Sequence, residues 1–266
     1  MGWSFRSTPL LVAGPCVIET EPVLLEIADR LADLGTRLGL PVCLKASFDK
    51  ANRARLAAPR GPGLDAGLRV LERVKSRSGL PVLTDVHEPA QAAAAVEVVD
   101  ALQVPAFLCR QTDLLVAAGK AGVPVNVKKG QWMAPEAMAG AVEKVRSGGA
   151  TEVAVTERGT AFGYGDLIVD MRSFARLREA TSATVLFDAT HAVQQPGQGT
   201  DGASGGQREH VPALLRAAAA AGVDGFYLET HPDPARALSD ARTQWPLDQL
   251  EELVSRALDI WHAGRR

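Results

Sequence analysis

Apolar residues gather along the chain into short runs rich in Val, Leu and Ile, and each run ends in polar or charged positions. LLVAGPCVIE begins at Leu10, LPVCLKAS at Leu40, PVLTDVHE at Pro81 and ALQVPAF at Ala101. VPVNVKKG follows at Val123, EVAVTERG at Glu152, TVLFDATH at Thr184 and DGFYLETHPD at Asp224. Their length and β-branched content predict strands, and the near-continuous apolar character predicts burial on both faces. Between them, composition and spacing predict helices over 22–38, 63–77, 89–98, 113–121, 135–146, 171–179, 207–221 and 246–261. Gly79, Gly122, the Gly148-Gly149 pair and Gly222 fall where helices should stop, the position in which glycine relieves a left-handed cap.

Strands of this kind alternating with helices form parallel sheets, and two closures fit the pattern. One is a (β/α)8 TIM barrel, for which about 250 residues is typical; the other is an open, doubly wound sheet. Eight units without an intervening low-complexity linker favour the barrel, as a single domain over 1–266.

The 266 residues include 29 Lys and Arg against 31 Asp and Glu, a formal charge of −2, with 46% hydrophobic and 23% charged positions. That composition excludes a disordered or collagen-like chain. The balanced charge argues against nucleic acid as a partner, since phosphate-backbone binding needs a concentrated basic excess. No run approaches the roughly 18 to 20 uncharged apolar residues that span a bilayer. Residues 10–18 make a poor export signal, because they contain Gly14 and Pro15 and run into Glu19. Cys16, Cys43 and Cys109 are an odd count without a CxxC pair, which fits a reducing compartment. A soluble cytoplasmic protein with no membrane partner is expected.

Candidate chemistry lies where the strands end. In order these ends deliver Cys16 and Glu19, Lys45, Asp85 and His87, Gln103, Lys128 and Lys129, Glu157 and Arg158, His191, then Glu229 and His231. A polar strand exit is ordinary taken singly, but in a closed barrel all these ends converge on the C-terminal mouth, where barrel enzymes keep their active sites. Lys45, Lys50, Arg53, Lys128, Lys129 and Arg158 would crowd positive charge there. Phosphate suits such a set, through Arg forks and Lys point charges, and the separation into two groups points to two phosphates. Pairing with Asp49, Asp85 or Glu157 is the competing structural use.

Cys16, His191, Glu229 and Asp240 offer S, N and O donors from strands 1, 7 and 8 and just beyond, and strands 1 and 8 adjoin in a closed barrel. Such a mixture suits Zn²⁺, Fe²⁺ or Mn²⁺ better than Mg²⁺ or Ca²⁺. No local metal motif supports it, and a cysteine there can equally be a small packed residue. Residues 192–206 hold five glycines, which suits either a lid over the mouth or a surface loop. The formal GxGxxG match at Gly197, Gly199 and Gly202 lacks the strand before and the helix after that a dinucleotide site requires.

LVAGPCVIE, LKASFDKANR, LTDVHE, LQVPAFLCRQTDLL, VNVKKGQWMAP, TERGTAFGYGDLIVDMR, FDATHAVQQPG, SGGQRE and FYLETHPDPARALSDA together resemble the 3-deoxy-D-manno-octulosonate 8-phosphate synthases, over residues 11–258. The resemblance implies a barrel, usually a homotetramer, that condenses phosphoenolpyruvate with D-arabinose 5-phosphate and water for lipopolysaccharide biosynthesis. By motif it gives Lys128 and Arg158 the phosphate of phosphoenolpyruvate, and Lys45 and Lys50 its carboxylate and the reacting centre. Asn52, Arg53 and Ser204 fall to arabinose 5-phosphate, Asp85 and Gln103 to the space between, and Arg110 to a neighbouring subunit's site. Cys at position 16 resembles the metal-dependent branch, which implies a divalent ion (Fe²⁺, Mn²⁺, Co²⁺ or Zn²⁺) on Cys16, His191, Glu229 and Asp240. Asp240 or His191 would accept a proton. The sister enzymes that use erythrose 4-phosphate share the early GPC motif and metal site, but KANR favours arabinose 5-phosphate; a Schiff-base phosphosugar aldolase is a rival of another class. The chain departs from the family pattern at Ala54 and Arg55, where a hydroxyl is common, and at Pro62. The segment before Leu10 is short, which leaves open whether it caps the barrel.

Overall fold

The computed structural model describes residues 3–53, 55–162, 165–199 and 204–265. Eight strands form the barrel: β1 (Leu10–Gly14), β2 (Val42–Lys45), β3 (Val82–Asp85), β4 (Ala101–Val104), β5 (Val125–Lys128), β6 (Val153–Glu157), β7 (Thr184–Asp188) and β8 (Gly225–His231). Every neighbouring pair is parallel. β8 returns to β1 in register from Leu10 opposite Gly225 to Gly14 opposite Glu229, so the sheet is closed and the open-sheet alternative falls away. The strands are shorter than the apolar runs that predict them. Lys45, Asp85, Gln103, Lys128, Glu157 and Glu229 are still within the strands, while Cys16, His87, Lys129, Arg158 and His191 lie beyond them at the mouth.

The helices form for local reasons and bury one stripe against the barrel. In α1 (Glu21–Leu38), the Thr20 side chain caps the start, Pro22 occupies the first turn and Gly39, at φ 60°, closes the end. Leu24, Ile27, Ala28, Leu31 and Leu34 recur at helical spacing and are buried. The others are α2 (Leu64–Ser78), α3 (Pro89–Ala95), α4 (Thr112–Lys120), α5 (Met138–Ser147), α6 (Ser173–Thr181), α7 (Val211–Ala220) and α8 (Leu250–Ala263). Three of these differ from expectation at their first turn, where Pro135–Ala137, Arg208–His210 and Leu247–Gln249 are 3₁₀. α3 ends three residues early.

Leu10, Val12, Cys43, Leu83, Ala101, Ala154, Leu186 and Tyr227 pack together inside the barrel. Phe5 joins them with no exposed surface, and its backbone N–H and the Ser4 hydroxyl both bond to the Glu152 carboxylate. The short amino-terminal segment therefore does cap the barrel's lower end, which the sequence left open. Gly14 serves the other end. A Cβ there would sit 2.1 Å from the Lys45 carbonyl oxygen, so glycine lets β1 approach β2 where the mouth begins.

Two antiparallel pairs were not foreseen: Thr160–Ala161 with Leu167–Ile168, and Gln194–Gln195 with Gly205–Gly206. The second pairs the two ends of the glycine-rich segment at its foot. Gly202, with the rest of 200–203, and Ala54 lie outside the described residues. Among the described residues no helix is long and apolar enough to cross a membrane.

Candidate active site

The strand ends open into a cavity of about 1150 Å³. Lys45, Lys50, Asn52, Arg53, Asp85, Gln103, Lys128, Arg158, His191, Ser204 and Asp240 all line it. Cys16 and Glu229, buried to 1% exposure, sit against it through Asp240 and Lys45. Arg110 is exposed on the surface and takes no part in the lining.

The floor is a buried charge network. Lys45 Nζ lies 3.0 Å from Glu229 Oε1 and 3.6 Å from Asp85, and it also donates to the Cys16 carbonyl. Burial alone would strip its proton, but Asp85 and Glu229 outweigh that and hold the ammonium above the usual lysine range. Lys50 reaches the same Asp85 at 3.5 Å. Burial would raise the Asp85 pKa, yet Lys45 and Lys50 hold it well below the carboxylate range. Gln103 donates to Asp85 at 2.6 Å and accepts from Asn126, which in turn accepts from Thr156. This ladder across β3 to β6 fixes the orientation of the Gln103 amide. Buried ion pairs of this density contribute little to stability once desolvation is counted, which makes the cluster a candidate functional site.

The two predicted cationic groups line one cavity and meet over Tyr227, with Lys45 Nζ 5.9 Å and Lys128 Nζ 3.2 Å from its ring centre, and one correction is needed. After β5 and β6, Lys128 bonds to Asp188, and its Nζ rests 3.2 Å from the centre of the Tyr227 ring. Burial pulls Lys128 down to about 8 against the opposing charge of Asp188. Arg158 bonds through Nη2 to Gln194, while its Nη1 is buried without a partner. Lys129 belongs elsewhere: fully buried outside the lining, it meets the Gly130, Met133 and Gly159 carbonyls, Thr160 and Glu157. Glu157 in turn accepts from the backbone N–H of Arg158 and Gly159, so this pair shapes the turn that carries Arg158. At the other group, Arg53 donates to the Pro59 carbonyl and to Ser239, both at 2.7 Å, and its Nη2 is buried unpaired. Asp49 is bound by Arg60 and does not neutralise the mouth lysines.

Cys16, Glu229 and Asp240 present ligand atoms that all lie within 4.8 Å of one another. His191 falls outside that group of three, but its Nε2 lies 3.7 Å from Glu229 Oε2 and 3.8 Å from Asp240 Oδ2. His191 lies just beyond the seventh strand, as expected, on the single helical turn Ala189–Ala192, whose start Asp188 caps. Asp188 Oδ2 also meets His191 Nδ1 at 2.6 Å and so sets the ring's orientation, the outer-shell arrangement common behind metal-binding histidines. Glu229 Oε2 is buried with no hydrogen-bond partner. That orphaned oxygen beside S, N and O donors fits a borderline divalent cation. Burial, with Asp240 and Glu229 nearby, pushes the Cys16 thiol up. Glu19 and His231 pair with each other at 3.6 Å outside the lining.

Asp188, Gln194 and Tyr227 were not singled out for these roles by the sequence, whereas the pairing of Glu157 with a mouth lysine was anticipated. Asp188 carried a usable signal, an N-cap carboxylate two residues before the Thr-His pair, whereas Tyr227 reads only as one more apolar strand position.

Fold and mouth together define a (β/α)8 barrel protein with a cation-lined cavity at the C-terminal ends of its strands. A model of the DAHP synthetase I family matches residues 6–260, and the chain belongs to that family. A protein of Syntrophotalea carbinolica named 2-dehydro-3-deoxyphosphooctonate aldolase is 55% identical over 250 residues, covering 94% of this chain and 90% of its own. Proteins of the same name from Alkalilimnicola ehrlichii (53% over 250 residues, 94% and 90%) and Nitrosococcus oceani (55% over 244 residues, 92% and 86%) are similar to it as well.

Proposed function

We propose that the chain is a 3-deoxy-D-manno-octulosonate 8-phosphate synthase, condensing phosphoenolpyruvate with D-arabinose 5-phosphate and water to the eight-carbon sugar acid phosphate and inorganic phosphate. The observation that carries this reading is the pair of buried, unpartnered guanidinium nitrogens, Arg158 Nη1 and Arg53 Nη2, on one cavity. A buried donor without an acceptor is costly, and two of them in a single cavity suit two anionic groups. The relatives' name, an aldolase of a phosphooctonate, describes an eight-carbon phosphorylated acid.

In this reaction C3 of phosphoenolpyruvate bonds to the aldehyde carbon of the sugar, whose oxygen takes a proton. Water adds at C2, and phosphate leaves with cleavage of the C–O bond. Lys128 and Arg158 hold the phosphate of phosphoenolpyruvate. Lys45 and Lys50, kept charged by Asp85 and Glu229, face its carboxylate and the charge that develops at the reacting carbons. Asn52, Arg53 and Ser204 take the sugar phosphate, and Gln103 and Asp85 align the space between. Asp240 or His191 receives the proton of the attacking water. Lys45, held in its charged form by Asp85 and Glu229, is a poor imine-forming nucleophile, which counts against Lys45 as a Schiff-base lysine.

The donor geometry supports the metal-dependent branch: Cys16, His191, Glu229 and Asp240 would hold Fe²⁺, Mn²⁺, Co²⁺ or Zn²⁺. Such an ion, when bound, supplies Lewis acidity toward water or the aldehyde oxygen. Chelation should abolish turnover and one of these ions should restore it; full turnover in metal-stripped protein would sink this part of the reading. The proposal includes self-association as a homotetramer, supported by Phe107 and Trp132, half exposed and stacked 6.0 Å apart.

A further inference from the structure

Gln194 joins the anion-binding end of the cavity to the metal-donor end. It is 7% exposed and lies at the foot of the glycine-rich segment, opposite Gly206. Its Oε1 accepts from Arg158 Nη2, and its Nε2 donates to Asp240 Oδ1 at 2.7 Å. The chemistry of the two neighbours dictates this orientation: a guanidinium only donates and an ionised carboxylate only accepts, so an amide between them has one way to face. A carboxylate at position 194 would confront Asp240, an ammonium would confront Arg158, and a thioether would satisfy neither.

Both neighbours keep a working face free of Gln194. Arg158 Nη1 is the buried unpaired donor, and Asp240 Oδ2 lies 2.9 Å from Cys16 Sγ and 3.8 Å from His191 Nε2. The contacts thus run without a break from the anion position through Arg158, Gln194 and Asp240 to the metal donors. We propose that Gln194 is a positioning residue that couples these two sites, so that an anion on Arg158 and a divalent cation at Asp240 each tighten the binding of the other. An anion that fixes the Arg158 fork fixes the amide, and the amide then holds Asp240 aimed at the donors. The ordering entropy is met once rather than twice, and linkage makes the effect reciprocal.

This inference rests on the metal-dependent reading above, and the test separates the two. Free Mn²⁺ is titrated against the full-length protein with and without saturating phosphoenolpyruvate, in the absence of sugar, so that no turnover occurs. In the unsubstituted protein phosphoenolpyruvate should tighten Mn²⁺ about fivefold or more, within the usual range of such couplings. Direct attraction between dianion and cation survives substitution, so the decisive quantity is the part that is lost. In Gln194→Met each ligand should still bind alone, but the coupling ratio should fall at least about threefold. Gln194→Glu keeps the size and the acceptor for Arg158 while replacing the donor to Asp240; it should lose the coupling as well, and it carries the test if the Met variant does not fold. Coupling retained in both variants overturns this inference alone, whereas absence of Mn²⁺ binding to the unsubstituted protein overturns the metal site and the coupling together.

Discussion

At Lys128 burial and a neighbouring carboxylate pull in opposite directions, and the balance leaves the ammonium titrating at about 8. The sign of the consequence follows from which form binds substrate. A phosphate dianion favours the charged amine, so the free protein is competent below that value and loses affinity as pH rises through it. The KM for phosphoenolpyruvate should therefore climb above pH 8. In Lys128→Arg, whose guanidinium stays charged, that rise should flatten; a KM that still climbs above pH 8 in the variant would contradict the role given to Lys128. Lys128 was legible in the sequence because it is a charged residue at a strand end. Gln194 and Tyr227 were not, since a neutral amide in a loop and an aromatic inside a strand look like ordinary loop and core until the fold brings Arg158, Asp240 and Lys128 beside them. Lys129 shows the converse error. It shares a strand end with Lys128 but points the other way, as successive positions do, and closes on backbone carbonyls.

Among the elements, the amino-terminal segment shows where pattern stops informing. Residues 3–9 have no periodicity, yet Phe5 fills the lower end of the barrel and Glu152 pins the chain that carries it. Phe5→Ala should cost about 3 kcal/mol of unfolding free energy, the range for a fully buried phenylalanine. Because the substitution lies at the end opposite the mouth, KM for either substrate should move by less than about twofold. Denaturant unfolding together with steady-state kinetics checks both, and unchanged stability would contradict the capping role. The strands and helices were far more legible, because eight apolar runs with glycine or proline between them carry the period directly. Their first turns were not: the 3₁₀ starts at Pro135–Ala137 and Leu247–Gln249 share the composition of the helices they lead into.

For the whole molecule, closure of β8 on β1 gives the dispersed strand-end chemistry a common address. It also changes the meaning of a formal charge of −2. The cationic mouth is no bare positive surface; Asp85, Asp188 and Glu229 are buried within it and keep its lysines in place until anions arrive. The exposed stack of Phe107 and Trp132 belongs to this scale too. Trp132→Glu should shift sedimentation toward smaller species, and a monomeric unsubstituted protein would contradict the proposed assembly. The central claim, condensation of phosphoenolpyruvate with a five-carbon sugar phosphate, is tested most directly by phosphate release. With phosphoenolpyruvate and a divalent ion present, release should require arabinose 5-phosphate and match it one for one, with little release on erythrose 4-phosphate and none without sugar. Faster release with erythrose 4-phosphate, or release that needs no sugar at all, would contradict it.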